Sequence, residues 1–141
     1  MNKICVLGSM NMDLVLKVKD MPKVGETILS KSFQKIAGGK GANQAVAAKR
    51  SGAEVFMISK IGKDENGREL RDKLVEDNID VKYVFEDRIE PTGMALIMVN
   101  DNGNNSIIVN AGSNMTLTKD EIHSAENLIN CLLYTSDAAD D

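Results

Sequence analysis

The stretch that decides the fold is Gly38-Gly39-Lys40-Gly41-Ala42-Asn43-Gln44-Ala45, in which three glycines surround one lysine before a helical pattern. Glycine permits a positive φ and lets a ligand approach the main chain closely. The first N–H groups of a helix lack partners within the helix and can donate to a ligand. The run therefore predicts either a site for a small, oxygen-rich molecule or simply a helix that starts after a flexible loop.

Two common phosphate-binding motifs are excluded at this position. A Walker A loop requires Ser or Thr directly after its lysine, whereas Lys40 is followed by Gly41. The dinucleotide fingerprint G-x-G-x-x-G also fails, because the residue five beyond Gly38 is Asn43.

Composition narrows the class of protein further. The chain has 141 residues, 43% of them hydrophobic, with a net charge of −4 and a pI near 5.1. That charge argues against nucleic-acid and membrane-surface partners. No apolar run approaches the roughly 20 residues that span a bilayer. The two cysteines, Cys5 and Cys131, are too few for a disulfide framework, so we expect a cytoplasmic protein.

Alternating strand and helix patterns on both sides of the glycine run predict a parallel sheet. Residues 3–7 and 54–60 read as buried strands, and helices are expected from the glycine run to Arg50 and after Asp64, a plausible N-cap. A third helix should begin at the capping box formed by Thr118 and Glu121 and end near Asn130. Strand–helix units in succession favour a doubly wound α/β domain.

A second, smaller sheet is expected from four further predicted strands, near 14–18, 29–36, 93–100 and 106–110. The last two flank the polar loop 101–105 and predict an antiparallel hairpin. Because alternate residues of a strand share a face, Ala95 and Ile97 should lie together, as should Ile107 and Val109. Such an apolar face must cover a ligand, the larger domain or a second subunit.

Several motifs in order resemble the PfkB-type carbohydrate kinase family, and the likeness covers Asn2 to about Asn130. The residues that carry it are Gly8-Ser-Met-Asn-Met-Asp13, Pro22-Lys-Val-Gly-Glu-Thr27, Gly38 to Ala48, Ser51-Gly-Ala53, Asn78-Ile-Asp80, Thr92-Gly93 and Asn110-Ala-Gly-Ser-Asn114. The glycine run is more similar to the ribokinase group than to the family's fructokinases or adenosine kinases. The resemblance implies a ribokinase-like three-layer α/β fold with a small β-sheet lid, truncated here, and a homodimer through the lid sheets.

The resemblance also implies a sugar site. Carried over by position, the residues that hold sugar hydroxyls are Asn11, Asp13, Gly39, Lys40 and Asn43, and the apolar lid positions near the ring are Ala95, Ile97 and Val109. The chemistry fits D-ribose, because a carboxylate such as Asp13 accepts strong, charge-assisted bonds from neighbouring hydroxyls. Without the family resemblance, turn capping at a strand end would be the simpler interpretation of Asn11 and Asp13.

The implied activity is ATP-dependent phosphorylation of D-ribose to ribose 5-phosphate. ATP, Mg²⁺ and a monovalent cation such as K⁺ are expected cofactors, but the family's catalytic base and nucleotide site belong to a second half that carries a Gly-Ala-Gly-Asp signature. We therefore expect no catalytic residue and no metal site in this chain, and no kinase activity from it alone. His123 is isolated and is not expected to act chemically. The alternatives are another sugar or nucleoside kinase, such as a deoxyribokinase, and a non-catalytic sugar-binding half-kinase.

The tail 131–141 does not resemble the family. Its sequence, Cys-Leu-Leu-Tyr-Thr-Ser-Asp-Ala-Ala-Asp-Asp, is the translation expected from a transposon-type sequencing adapter. We therefore interpret 1–130 as the N-terminal half of a kinase domain and 131–141 as translated adapter, with a genuine C-terminal tail as the alternative. The nucleotide record tests this, because unrelated codons for these residues would contradict it.

Overall fold

A computed structural model describes residues 2–130 and the backbone of 133–136. The strands of this part of the chain are Lys3–Leu7 (β1), Asn11–Lys17 (β2), Ser32–Gly38 (β3), Glu54–Gly62 (β4), Asp80–Asp87 (β5), Gly93–Val99 (β6), Asn105–Asn110 (β7) and Leu133–Ser136 (β8). The helices are Lys40–Arg50 (α1), Glu65–Glu76 (α2), Lys119–Ser124 (α3) and Glu126–Asn130 (α4), with a 3₁₀ turn at Gly112–Met115.

The larger sheet is fully parallel and carries helices on both faces. Its strand order is β5-β4-β1-β8. On one face, Val55 and Met57 pack in a cluster with Ala45 of α1 and Leu70 of α2. On the other face, Ile58 packs with Cys5, Ala125 and the partly buried Leu128 and Ile129. Parallel strands are normally covered on both sides in this way, and the predicted three-layer α/β fold is confirmed.

The smaller sheet, which we call the lid sheet, has the order β3-β2-β6-β7. Strands β2 and β6 are parallel, whereas β3 and β7 pair antiparallel to them at the two edges. The hairpin predicted around residues 101–105 is the β6–β7 connection. All four predicted lid strands exist, although the second runs from Ser32 to Gly38 and not from 29 to 36.

Sequence reasoning missed two strands, β5 and β8, and misjudged one helix. Strand β5 was not predicted, because acidic and basic residues interrupt its apolar residues. The single helix expected to end near Asn130 is two short helices, since the N–H of Ala125 donates to the carbonyl of Ile122 in a tighter turn. The capping box of Thr118 and Glu121 is present as predicted. Of the tail 131–141, residues 131–132 and 137–141 lie outside the described residues, while 133–136 form β8 beside β1.

Asp64 joins the larger domain to the start of the lid. Its Oδ1 accepts from the Gly67 N–H at 2.8 Å, which caps α2, and from Thr92 Oγ1 at 2.6 Å. Its Oδ2 accepts from the Thr92 N–H at 2.9 Å, directly before β6. Burial alone raises the pKa of Asp64, but these hydrogen bonds outweigh burial and hold the pKa below its ordinary value.

Replacing Asp64 with alanine is therefore expected to lower the free energy of unfolding by about 3 kcal/mol, since a cap and charge-assisted bonds are lost together. Because the folded pKa of Asp64 is depressed, its stabilisation is present above the ordinary pKa of 3.8 and is lost as pH falls through the folded pKa. Urea titration of the two forms measures the effect. Asp72→Ala is the control, since Asp72 is exposed on the same helix and should change stability by less than about 0.5 kcal/mol.

Candidate sugar-binding site

A cavity of about 800 Å³ opens between the two sheets, at the carboxyl ends of β1 and β4. Clefts at this end of a parallel sheet are the usual place for ligands in α/β folds. The lid sheet forms one wall, the start of α1 a second, and the segment from Ala111 to Ile122 a third.

The structure brings all eight predicted site residues to this one cavity. They are Asn11 and Asp13 of β2, Gly39 before α1, Lys40 and Asn43 of α1, Ala95 and Ile97 of β6, and Val109 of β7. Strand register explains part of this convergence, because Asp13 pairs with Ala95 and Ala95 pairs with Val109. Residues paired across neighbouring strands share a face, so one carboxylate and two apolar side chains form a row.

The glycines of the decisive run act through three different contacts. Gly39 has a φ of 94°, which turns the chain from β3 into α1. A Cβ on Gly38 would overlap the Asp13 carboxylate, and one on Gly41 would lie 2.6 Å from the carbonyl carbon of Gly8. The helix also starts against the β1–β2 connection, where the Ala42 N–H donates to the Ser9 carbonyl at 3.1 Å. The absence of side chains thus brings α1 against the strand that carries Asn11 and Asp13.

Asp13 is the acidic side chain among the described residues that line the cavity. No hydrogen bond formed between described residues ends on its carboxylate. Burial raises the pKa of Asp13 above its ordinary value, because desolvation disfavours the charged form. A partly desolvated carboxylate with unfilled acceptor positions is suited to ligand hydroxyl groups.

Sequence reasoning missed several residues that line the cavity. Asn114 donates from Nδ2 to Asn11 Oδ1 at 2.7 Å, and Ile107 lies beside Val109 on the lid face. Ser59 and Lys60 contribute from the end of β4. The motif ending at Asn114 was a signal that could have identified this residue, whereas Ser59 and Lys60 carry no local motif.

Lys60 fixes the third wall of the cavity. Its buried Nζ donates to Glu121 Oε1 at 2.8 Å and to the Thr116 carbonyl at 3.0 Å. Burial raises the pKa of Glu121, but hydrogen bonds from Lys60 and Thr118 outweigh it and hold that pKa below its ordinary value. One ammonium group thereby ties the end of β4 to the start of α3.

No metal site or membrane-spanning element is found in residues 2–130 and 133–136. No three His, Cys, Asp or Glu side chains of this part of the chain converge in a way that could hold a metal ion. The helices of the same part are too short or too polar to cross a bilayer. His123 lies on the exposed surface, where its Nδ1 is 3.9 Å from the Glu126 carboxylate.

Comparison with known proteins places these features in a family. A family model described as pfkB family carbohydrate kinase matches residues 1–135, a range that includes residues 133–135 of β8. The ribokinase of Bacillus subtilis is 45% identical over 118 residues, which cover 84% of this chain and 40% of that protein. The deoxyribokinase of Salmonella typhi is 39% identical over 131 residues, covering 92% and 43%.

Solved ribokinase structures are also similar to this chain. The ribokinase of Giardia lamblia superposes with a TM-score of 0.87 at 33% identity, covering 96% of this chain and 41% of that one. Arabidopsis thaliana ribokinase complexed with ribose and ATP gives a TM-score of 0.79 at 32% identity, covering 89% and 43%. This chain spans less than half the length of each of these four relatives. From its fold, its motifs and these matches, the chain belongs to the pfkB family of carbohydrate kinases.

Proposed function

We propose that this chain is the sugar-binding and lid portion of a kinase that phosphorylates D-ribose to ribose 5-phosphate. The observation that carries the proposal is one cavity lined by Asn11 and Asp13 of the lid sheet, by Asn43 of α1 and by the apolar residues of the lid sheet. Ribokinases among the relatives support ribose as the sugar.

The polar groups of the cavity match the groups that a pentose presents. A sugar offers adjacent hydroxyls that both donate and accept, with little apolar surface. Asp13 accepts, Lys40 donates, and the amides of Asn11 and Asn43 can do either. A site whose groups each bond one hydroxyl rejects deoxy analogues, because a partner is then left unpaired.

Phosphoryl transfer requires groups beyond these. ATP supplies the phosphoryl group, and Mg²⁺ neutralises charge on its phosphates. The described residues do not fit a Mg²⁺ site, since no carboxylate cluster is present among them. We therefore assign ATP, Mg²⁺, a monovalent cation such as K⁺ and the catalytic base to the part of the full-length protein that this chain does not span.

Binding and turnover measurements on the purified chain test the proposal. D-Ribose titrated into the 141-residue chain in a calorimeter should release heat with saturation, while ATP and Mg²⁺ should give no ribose phosphate. Asp13→Asn provides the control for binding at the cavity. Saturable binding that is equally strong in this variant would place the sugar elsewhere, and ATP-dependent phosphorylation by the chain would refute the assignment of the base.

Deoxyribose is the second candidate sugar, favoured by the identity of 39% to a deoxyribokinase. The full-length gene product distinguishes the two, through the ratio of kcat/KM for D-ribose and 2-deoxy-D-ribose. A higher value for ribose supports the first assignment. The genomic DNA downstream of Asn130 addresses the remaining alternative of a natural half-kinase, because a coding segment for Gly-Ala-Gly-Asp should follow if 131–141 is adapter sequence.

We further propose a cytoplasmic homodimer formed through the lid sheets. All residues of the edge strand β7 are exposed, and Ile108 is 61% exposed. Exposed apolar edge strands are prone to pair with another chain. Ile108→Asp in the full-length protein should shift the sedimentation coefficient from dimer to monomer. Val75→Asp, at an exposed position on α2, should leave it unchanged.

A further inference from the structure

A compact set of hydrogen bonds surrounds Asn114, beside the proposed sugar site. The N–H of Met10 donates to Asn114 Oδ1 at 3.0 Å. Asn114 Nδ2 donates to the Met10 carbonyl at 3.2 Å and to Asn11 Oδ1 at 2.7 Å. Asn114 thereby uses its acceptor once and its donor group twice.

The main chain decides which way the Asn114 amide points. A backbone N–H can only donate and a backbone carbonyl can only accept. Met10 is fully buried, so both of its peptide groups need partners. Only one orientation of the Asn114 amide satisfies both, with Oδ1 toward the Met10 N–H and Nδ2 toward its carbonyl. The assignment therefore follows from groups whose chemistry is fixed.

That orientation imposes a direction on Asn11. Asn114 Nδ2 is a donor, so the Asn11 side chain must turn its acceptor, Oδ1, toward it. The opposite end of the Asn11 amide, Nδ2, is then turned away from Asn114. Gly93 packs directly against the two amides, because a Cβ there would overlap both Asn114 Nδ2 and Asn11 Oδ1.

We propose that Asn114 is a positioning residue that holds Asn11 as a hydrogen-bond donor toward the ligand. An asparagine amide can otherwise present either its oxygen or its nitrogen. Asp13 lies two residues further along β2, on the same face, and can only accept. The site therefore has a fixed polarity, with a donor beside an acceptor. It suits a neutral pair of adjacent hydroxyls, one accepting from Asn11 and one donating to Asp13. Naming that pair as part of a sugar rests on the proposed function.

Exchange of side-chain amide protons tests the orientation without any sugar. In the ¹⁵N-labelled chain, the Nδ2 protons of Asn114 should exchange with solvent more slowly than those of Asn11. The reason is that Asn114 Nδ2 donates two hydrogen bonds, one to the Met10 carbonyl and one to Asn11 Oδ1. Asn11→Asp identifies the Asn11 signals by removing them, and it preserves an acceptor for Asn114. The reverse order of exchange rates would overturn the inference, whether or not sugar binds.

A double-mutant cycle tests the effect on the ligand. We expect Asn11→Ala and Asn114→Asp each to weaken D-ribose binding about tenfold relative to the unaltered chain. The double variant should also bind about tenfold more weakly than the unaltered chain, and so no more weakly than either single variant. Losses that multiply to about a hundredfold would show that Asn114 acts independently of Asn11 and would overturn the inference. Asn104→Asp, in the exposed β6–β7 connection, is the matched control and should leave the Kd unchanged.

The two readouts separate the two proposals. If the exchange order is as expected but the unaltered chain binds no D-ribose, the proposed function fails and the positioning role stands. If the chain binds D-ribose with the reverse exchange order, the positioning role fails and the proposed function stands.

Discussion

Asp13→Asn is expected to weaken D-ribose binding by about a hundredfold and to raise the melting temperature of the unliganded chain at neutral pH. Binding weakens because asparagine keeps the shape but offers one acceptor oxygen without charge, and hydrogen bonds to charged groups contribute about 1.5–3 kcal/mol each. Stability rises because the carboxylate is partly desolvated and accepts no hydrogen bond from the described residues, whereas the neutral amide of asparagine costs less to desolvate. Opposite effects on binding and stability are typical of residues retained for function.

The pH dependence of Asp13 follows from the direction of its pKa shift. Burial raises the pKa of the folded state above the ordinary value of 3.8, so the folded chain holds this proton more tightly than the unfolded chain. The contribution to stability is therefore full below the unfolded pKa and is lost as pH rises through the folded pKa. Ribose binding should show the reverse trend, because it needs the ionised form and weakens as pH falls through the folded pKa.

Calorimetric titrations and thermal melts at several pH values measure both effects. Asp20→Asn is the control, since Asp20 is exposed beyond the end of β2 and should change neither the Kd nor the melting temperature. An unchanged Kd in Asp13→Asn would remove Asp13 from the site, however the melting temperature behaves.

Gly41→Ala is expected to lower the free energy of unfolding by about 2 kcal/mol or more and to abolish detectable sugar binding. The added Cβ would lie 2.6 Å from the Gly8 carbonyl carbon and 2.7 Å from Gly8 Cα and from the Ser9 nitrogen. These are main-chain atoms, which cannot rotate away as a flexible side chain can. Alanine gains up to about 1 kcal/mol of helix propensity over glycine. Overpacking costs about 1–3 kcal/mol and sometimes more, so the steric term should exceed that gain.

To relieve this overlap, the start of α1 would have to move away from the connection that leads to Asn11. Sugar binding should therefore be lost together with stability. Guanidinium unfolding and ribose calorimetry on the same preparation give both numbers. Gly103→Ala is the comparison, because Gly103 has a φ of 82° and open space around its Cα. That change should cost only about 1–2 kcal/mol of backbone strain and leave binding intact. Equal losses of binding in the two variants would contradict a local role for Gly41.

Sequence reasoning worked best where one short segment determines the structure. The helix from the glycine run to Arg50, the Asp64 cap and the β6–β7 hairpin are each specified by neighbouring residues. Strand β5 was missed because its residues pack through tertiary contacts with β4 and α2, and its own pattern is masked by charges. The second lid strand was placed too early because Gly38 seemed to belong to a loop, whereas it pairs with Asn11 inside the sheet.

The cavity residues that could be predicted from the sequence are those assigned by family resemblance. The eight residues assigned by resemblance lie together, yet their role in sugar binding remains a prediction. Lys60 and Ser59 could not be found in this way, because their place in the cavity depends on how β4 ends against the turn at Gly112–Met115. Side-chain partnerships such as that of Asn114 with Asn11 join distant parts of the chain and leave no periodic signal.

The parallel pairing of β2 with β6 has a kinetic consequence. Asn11 pairs with Gly93, and all of α1, β4, α2 and β5 lie between them in the chain. The β2–β3 hairpin is only marginally stable alone, and long loops close slowly because of the entropy they lose. Non-local pairing of this kind slows folding. During refolding, we therefore expect the capacity to bind ligand to arise in the last and slowest phase, after the helices have already gained their far-ultraviolet signal.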